Sequence, residues 1–249
     1  EILSPEVGCG LDDMLRAHCH RLQGLLNGAD YSEWSPETDP LTAAPFSHDN
    51  LGGKRACKRD LLGAFGLPAD RIDKPLLGIV SRMAHQKGFH LLAEITDELL
   101  KDDISLVVLG AGETIYEDFF RGLSVRFPGL AACHIGYSNK LAHKIEAGAD
   151  IFLMPSLFEP CGLNQIYSLR YGTIPVVRAT GGLEDTVDPT TGFKFSGTDP
   201  WDLYEAIRAA IAEYHQPELW TARMRTAMTR LLVGPIGQGL LRAVSSPPL

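Results

Sequence analysis

The run Phe158-Glu159-Pro160-Cys161-Gly162-Leu163-Asn164-Gln165 lies between two short apolar segments, residues 151–154 and 174–177. Each apolar segment has the length and composition of a buried strand. Between them, residues 163–171 carry a helical pattern, and Gly172 follows at the helix end. Because a strand, a helix and a second strand in this order form a βαβ unit, the two strands are expected to be parallel. The quoted run is then a loop at the carboxyl end of the first strand.

The same alternation of strands and helices extends along most of the chain. Further strands are predicted at residues 76–80, 105–109, 132–135 and 192–195. Further helices are predicted at residues 12–22, 50–65, 89–100, 116–127, 141–147, 199–214 and 218–228. Residues 34–45 contain three prolines and are expected to form an extended connector. Short strands that alternate with helices predict an α/β fold with a doubly wound parallel sheet.

Glycines or charged residues follow the longer strands of this predicted sheet. They lie in residues 81–88, 110–112, 136–137, 156–162 and 178–182. In a doubly wound sheet, ligands bind outside the carboxyl ends of the strands, so these loops are candidates for one binding site. A carboxylate, a helix start and glycine turns at one edge of the sheet indicate a site for an anionic ligand that carries a sugar.

Two cations lie in the loop after the first strand of the sheet. Arg82 and Lys87 are five residues apart. Arginine offers a planar fork to phosphate oxygens, and lysine offers a compact charge. Together they could hold a diphosphate and stabilise the charge that develops as it leaves. The alternative is an ordinary pair of solvated charges near a helix start, although the helix dipole favours anions there.

Glu159 and the turn at Gly162 come directly before a predicted helix. The free N–H groups at a helix start can bind an anion, so backbone from Gly162 to Asn164 could contact the ligand. The alternative is a tight turn in which Glu159 is only a favourable N-terminal acid. Thr180-Gly181-Gly182 would let the backbone approach a ligand closely, and Tyr137 could stack on a base. A surface turn and ordinary packing are the alternatives for these two features.

Composition argues against several classes of protein. The net charge is −8 without a basic block, which disfavours nucleic-acid binding. No apolar run approaches the roughly 20 residues that span a membrane. The five cysteines are scattered without a Cys-x-x-Cys pair, so neither a disulfide scaffold nor a zinc site is indicated, and a reducing compartment is expected. Gly110-Ala111-Gly112 lacks the third glycine of the dinucleotide fingerprint, which disfavours the alternative of a nucleotide-binding oxidoreductase domain.

Taken together, these residues resemble the C-terminal half of bacterial glycogen synthases and plastid starch synthases. The resemblance covers about residues 1–230, nearly the whole chain. The matching motifs are Leu26-Asn27-Gly28-Ala29-Asp30, Trp34-Ser35-Pro36-Glu37-Thr38-Asp39-Pro40, Ser81-Arg82, Gln86-Lys87-Gly88, His134-Ile135-Gly136-Tyr137, Phe158-Glu159-Pro160-Cys161-Gly162-Leu163, Tyr171-Gly172 and Thr180-Gly181-Gly182-Leu183. Such a set of motifs is highly specific.

The resemblance implies a fold and an activity. The family has two Rossmann-like domains of the GT-B type, with the active site in the cleft between them. It transfers glucose from ADP-glucose to the non-reducing end of an α-1,4-glucan, glycogen or starch, with retention of anomeric configuration. It requires no metal and no cofactor. By resemblance, this chain is expected to be a hexosyltransferase of the bacterial cytoplasm or the plastid stroma that binds neither nucleic acid nor a membrane.

The resemblance also implies a role for each site residue. Arg82 and Lys87 would hold the diphosphate, and Glu159 would bind hydroxyl groups of the donor glucose near the reacting carbon. These three are the expected catalytic residues. The expected substrate-binding residues are Asn27 facing the glucose, Tyr137 stacking on adenine, Gly162, Leu163 and Asn164 supporting the sugar through their backbone, and Thr180, Gly181, Gly182 and Leu183 at the distal phosphate.

Three positions depart from the pattern of the wider family. Tyr167 stands where many related transferases have a second glutamate, a replacement that the glycogen synthase branch also permits. Leu157 and Ala179 stand where basic residues are common. These changes are expected to weaken contacts with the donor without abolishing them.

Three segments are expected along the chain. Residues 1–30 resemble the end of the family's N-terminal domain, whose remainder the sequence lacks, together with the interdomain linker. Residues 31–230 are expected to form the C-terminal nucleotide-sugar-binding domain. Residues 231–249 form an aberrant tail, and we hypothesise a frameshift near Arg230, because codons exist that would encode the family's final helix one base out of frame. An alternative function is therefore a truncated, catalytically inactive remnant that at most binds nucleotide or glucan.

Overall fold

Six parallel strands lie at the centre of the molecule in the computed structural model, which describes residues 2–5, 8–22, 24 and 26–230. The strands are β1 (Leu76–Val80), β2 (Ser105–Gly110), β3 (Ala131–Ile135), β4 (Ile151–Met154), β5 (Ile174–Arg178) and β6 (Phe193–Phe195). Their order across the sheet is β3-β2-β1-β4-β5-β6, and each neighbouring pair is parallel. This is the strand order of a Rossmann fold, which confirms the predicted doubly wound sheet.

Helices cover both faces of the sheet. They are α1 (Asp12–Ala17), α2 (Gly52–Ala64), α3 (Phe89–Leu99), α4 (Thr114–Arg126), α5 (Asn139–Gly148), α6 (Asn164–Arg170), α7 (Gly181–Thr186), α8 (Pro200–Tyr214) and α9 (Pro217–Thr229). Leu77 and Ile79 of β1 pack into a core with α3, α4 and α8. Leu76 packs into a second core with α2 and α5. Successive strand residues point to opposite faces, so an uninterrupted apolar strand suits a sheet that is covered on both.

Two elements differ from the sequence prediction. Residues 180–182 are predicted to be a loop, but Gly181 begins α7, a helix of six residues. Because glycine is a poor helix former, this short segment carries no recognisable helical pattern. The predicted helix at residues 12–22 is also shorter, since α1 ends at Ala17 and a 3₁₀ turn, Cys19–Arg21, follows it.

The linker segment, as residues 30–46 are called below, contains residues 34–45, which do not form the extended connector that their prolines predict. The chain makes successive turns there and packs against the domain. Trp34 stacks between His143 of α5 and Tyr167 of α6, with ring centroids 3.7 and 4.2 Å away. Aromatic stacking on two helices therefore fixes the linker segment in place.

A buried polar cluster holds the same segment. The Asp39 carboxylate accepts a hydrogen bond from the hydroxyl of Tyr171 at 2.5 Å. The same oxygen, Oδ2, lies 2.7 Å from Nδ1 of His143. At the edge of this cluster, Arg170 donates to the Glu37 carboxylate at 2.8 Å. The linker segment is thus part of the packed structure rather than a free tether.

The predicted boundaries of the three chain segments stay predictions. The tail that we attribute to a frameshift, residues 231–249, lies outside the described residues. Within the described part of the chain, no helix combines the length and the apolar character that crossing a bilayer requires.

Candidate active site

The candidate site lies where the strand order of the sheet reverses, between β1 and β4. A crevice forms at such a point, because the connections after the two strands turn to opposite faces of the sheet. Residues 81–88 follow β1, and residues 155–163 follow β4. The cavity between these loops measures about 250 Å³ and is lined by Arg82, Lys87, Ser156, Glu159, Gly162 and Asn164, among others. The structure therefore brings the three expected catalytic residues together.

An ion pair joins the two loops. Lys87 Nζ donates to Oε2 of Glu159 at 2.5 Å, and Ser156 Oγ donates to the same oxygen at 3.1 Å. The side chains of Lys87 and Glu159 keep 20% and 11% of their surface exposed, so small molecules can reach the pair. Partial burial strengthens the attraction between the charges, yet each partner can still exchange the other for a group on a ligand.

Arg82 lies at the rim of the cavity and is exposed. Its Nη2 donates to Oε1 of Gln86 at 3.3 Å. A guanidinium group has five N–H donors in a planar fork, so this single bond leaves it able to hold a phosphate as well. Arg82 and Lys87 together make the loop after β1 a cationic wall of the cavity.

Close contacts between the two loops depend on Gly88 and Asn164. Gly88 has a φ of +72°, and a Cβ at this position would overlap the carbonyl oxygen of Pro155. Any other residue would force the loops apart. Asn164 donates from Nδ2 to the carbonyl oxygen of Val80 at 2.6 Å, which ties the start of α6 to the end of β1. The side chain of Asn164 thus has a structural role besides the backbone contact that the sequence predicts.

The structure places Gly162, Leu163 and Asn164 beside Glu159 on the wall of the cavity. Gly162 has a φ of +71°, in the left-handed region that favours glycine, and the chain turns there before α6 begins at Asn164. The first N–H groups of a helix have no partner within it, so they are available to an anionic or hydroxyl-bearing ligand.

The residues predicted at the distal phosphate pack behind the Glu159 loop. The N–H of Gly182 donates to the carbonyl oxygen of Glu159 at 3.0 Å, and a Cβ on Gly182 would overlap the backbone of Cys161. The N–H of Leu183 donates to the carbonyl oxygen of Thr180 at 3.1 Å, and the Leu183 side chain is fully buried. Gly182 and Leu183 therefore support the loop, while the phosphate contact predicted for Thr180, Gly181, Gly182 and Leu183 stays a prediction.

Tyr137 is 88% exposed and stands in a second cavity of about 370 Å³. This cavity is lined by the ends of β1 and β2 and by Gly136, Tyr137 and Ser138. It shares Arg82 and Asn164 with the first cavity. The two cavities therefore adjoin, with Arg82 between a carboxylate at one end and an aromatic ring at the other. This layout suits a ligand whose charged middle joins a sugar to a flat ring.

Asn27 reaches the same site from the region before the linker segment. Its backbone N–H donates to Sγ of Cys161 at 3.0 Å, and the residue itself is exposed. Cys161 belongs to the loop that carries Glu159, so the structure places Asn27 against that loop. Its predicted contact with the glucose stays a prediction.

Two site features have no signal in the sequence. The bond from Ser156 to Glu159 depends on the conformation of one loop, and the bonds of Gln86 depend on how segments from different strands meet. Tyr167, at the position where related transferases have a second glutamate, stacks on Trp34 and so supports the linker segment. Among the described residues, no group of three His, Cys, Asp or Glu side chains could hold a metal ion.

The fold and the site are those of a Rossmann sheet with a cationic loop after β1 and a carboxylate after β4, and comparison with known proteins shows the family. The family model of glycosyl transferases group 1 matches residues 69–226, so the chain belongs to that family. The chain is 51% identical over 237 residues to a glycogen synthase from Koribacter versatilis, a match that covers 92% of this chain and 49% of the relative. A glycogen synthase from Geobacter metallireducens is 47% identical, with 92% and 47% covered.

A solved structure extends the comparison. The catalytic domain of starch synthase IV from Arabidopsis thaliana, bound to ADP and acarbose, superposes with a TM-score of 0.89 at 30% identity. This match covers 99% of the chain and 54% of that structure. The comparisons confirm the resemblance to glycogen and starch synthases and the GT-B type of fold. The chain spans about half the length of the curated relatives it matches.

Proposed function

We propose that this chain is the donor-binding part of a glucosyltransferase that transfers glucose from ADP-glucose to the non-reducing end of an α-1,4-glucan, with retention. The observation that carries the proposal is the Lys87–Glu159 pair at the β1/β4 crevice, with Arg82 at the rim. Supporting it, relatives at 47–51% identity are glycogen synthases, and a starch synthase of the same fold was solved with ADP and acarbose.

In the proposed complex, the diphosphate of the donor lies against Arg82 and Lys87. The phosphate oxygens take over Lys87 from Glu159, and the guanidinium of Arg82 adds a second charged contact. As the bond between the glucose and the diphosphate breaks, negative charge grows on the leaving phosphate. Two fixed cations stabilise that charge more than they stabilise the bound donor, so they accelerate the step.

Glu159, once released by Lys87, accepts hydrogen bonds from hydroxyl groups of the donor glucose. Ser156 holds its Oε2 in place, so the carboxylate keeps its orientation. Backbone from Gly162 to Asn164 lies next to the same space and supports the sugar. Tyr137 offers its exposed ring to adenine. A precise fit of this kind matters because transfer depends on the reacting groups being aligned.

The acceptor glucan would bind across the cleft, against a second domain. The relatives are about twice the length of this chain, which supports such a partner domain for the family. That the reaction needs no metal and no cofactor stays an expectation. Arg82 and Lys87 would supply the positive charge at the diphosphate in its place. The location in the bacterial cytoplasm or plastid stroma also stays a prediction.

Equilibrium titration of ADP-glucose and of ADP tests the proposal. We expect saturable binding of both, with a higher affinity for ADP-glucose than for ADP. In Glu159→Gln the two affinities should become similar, because the neutral amide accepts hydrogen bonds from sugar hydroxyls less strongly. Glu98→Gln is the matched control, since Glu98 pairs with Lys101 and both side chains are exposed. Absence of ADP-glucose binding would contradict the proposal. Incorporation of glucose into glycogen, supplied with the donor, reports the transfer itself.

A further inference from the structure

Gln86 joins the two loops of the site through both ends of its side-chain amide. Oε1 accepts from Nη2 of Arg82 at 3.3 Å, and Nε2 donates to the carbonyl oxygen of Phe158 at 2.9 Å. An acceptor faces the cation and a donor faces the carbonyl, so only one orientation of the amide satisfies both partners.

The main chain of Gln86 reinforces this bridge. The N–H of Leu157 donates to the carbonyl oxygen of Gln86 at 2.8 Å. Two residues further on, Gly88 presses against Pro155. Gln86 therefore sits at the seam between the loop that carries Arg82 and Lys87 and the loop that carries Glu159.

We propose that Gln86 is a positioning residue that orients the Arg82 guanidinium toward the diphosphate and fixes it relative to the Glu159 loop. This inference rests on the proposed function. An exposed arginine has many rotamers, and a ligand that binds it must restrict them. A side chain that already holds one N–H of the guanidinium lowers the conformational entropy that is lost on binding. The remaining N–H donors are then already oriented toward the phosphate before it binds.

The geometry explains why glutamine suits this position. Asparagine is one methylene shorter and could not span Arg82 and Phe158. Glutamate would accept from Arg82 strongly, but it would place a negative charge against the Phe158 carbonyl and beside the bound phosphates. Methionine keeps the length of the stem and lacks both hydrogen bonds, so Gln86→Met removes the bridge with little change in packing.

A double-mutant cycle tests whether Gln86 acts through Arg82. ADP dissociation constants are measured by calorimetry for the unaltered chain, Gln86→Met, Arg82→Met and the double variant. We expect Gln86→Met to weaken ADP binding about fivefold in the unaltered chain and less than about twofold when Arg82 is already replaced. The matched control is Gln216→Met, an exposed glutamine that donates to the carbonyl oxygen of Ala212 at 3.2 Å.

Nitrogen-15 relaxation at Nε of Arg82 supplies a readout that does not depend on ADP. We expect the Arg82 side chain to become more mobile in Gln86→Met and to remain unchanged in Gln216→Met. Equal mobility in the two variants overturns the inference, and so does an equal loss of ADP affinity with and without Arg82. If the unaltered chain does not bind ADP, the proposed function fails, while the relaxation result still decides whether Gln86 orders Arg82.

Discussion

The site between β1 and β4 and the cluster around Asp39 are built from similar bonds but differ in exposure. In the site, the side chains of Lys87 and Glu159 are 20% and 11% exposed. In the cluster, the side chains of His143 and Asp39 are 1% and 0% exposed. Both sets contain a carboxylate with two polar side-chain partners. Only the first set can be reached by a ligand.

This difference separates function from stability. Bonds to Glu159 can be exchanged for bonds to a phosphate or a sugar hydroxyl, so they can contribute to ligand binding as well as to folding. The bonds to Asp39 have no replacement, because a buried polar group that loses its partner keeps the full cost of its desolvation. Substitutions in the two regions should therefore change different measurements.

The largest effect is expected for Asp39→Ala. It leaves the buried hydroxyl of Tyr171 and Nδ1 of His143 without their acceptor, and it should lower the free energy of unfolding by about 3 kcal/mol. Urea denaturation measures the loss. The control is Asp49→Ala, since Asp49 also pairs with a histidine, His48, but is 84% exposed. A loss of similar size in the control would contradict the dependence on burial.

A smaller effect, on binding rather than stability, is expected for Arg82→Met. Loss of a charged fork should weaken ADP binding by about 2 kcal/mol, roughly 30-fold, with the urea midpoint unchanged. Calorimetry with ADP measures the affinity. Arg121→Met is the control, because Arg121 is an exposed arginine that forms ion pairs with Glu117 and Asp118 on α4. The expectation fails if both variants bind ADP alike.

A comparison of two lysines sharpens the contrast through pH. Lys54 is buried, and its Nζ donates to the carbonyl oxygens of Ala147 and Tyr171 and to Oγ1 of Thr173. Burial lowers the pKa of Lys54 from 10.5 to about 8. Between these values the unfolded chain holds a proton that the folded chain has released, so the free energy of unfolding rises as the pH rises.

From pH 8 to 9.5 this increase should amount to about 1.5 kcal/mol. Urea denaturation across this range measures it, and Lys54→Met should remove that part of the slope. Tyrosines of the unfolded chain, with pKa values of about 10, begin to titrate at the upper end of this range and act in the opposite direction, so the difference between the unaltered chain and Lys54→Met isolates the lysine. The exposed Lys101 provides the control: its pKa is raised by the hydrogen bond to Glu98 rather than lowered, so Lys101→Met should leave the slope between pH 8 and 9.5 as it is. A slope that survives in Lys54→Met would contradict this assignment.

The smallest effect is expected for Tyr137→Ala. Tyr137 is 88% exposed, so its loss should not change stability, but ADP affinity should fall by about 1 kcal/mol, roughly fivefold, as a stacked base loses its platform. Titration with ADP measures it. Val125→Ala, at a residue 80% exposed on α4, is the control. An unchanged ADP affinity in Tyr137→Ala would remove adenine stacking from the account.

Much of the fold is visible in the sequence because buried strands are short apolar runs with turn residues around them. Segments such as Leu76–Val80 and Ile151–Met154 need no knowledge of their neighbours. The contacts of Asp39 with His143 and of Gln86 with Phe158 are different, since they join segments far apart in the chain. Nothing local in the sequence indicates them. The short helix α7 is not predicted from the sequence because it begins with two glycines, which are poor helix formers.

The site is predicted in part for the same reasons. The place of Arg82, Lys87 and Glu159 follows from the rule that ligands bind at the carboxyl ends of parallel strands. That Lys87 is bonded to Glu159, and that Leu183 is a core residue, follows only from the register between β1, β4 and β5. Sequence patterns locate the groups at this edge of the sheet, and packing decides which of them meet.

Calorimetric titration of ADP into the unaltered chain and into Lys87→Met tests the central claim most directly. The claim is that Lys87 can leave Glu159 for a ligand, whereas the Asp39 cluster serves stability alone. We expect saturable binding to the unaltered chain, at least tenfold weaker binding to Lys87→Met and a shift of the urea midpoint smaller than that of Asp39→Ala. Equal affinity of the two proteins for ADP, or a large loss of stability without loss of affinity, would contradict the claim.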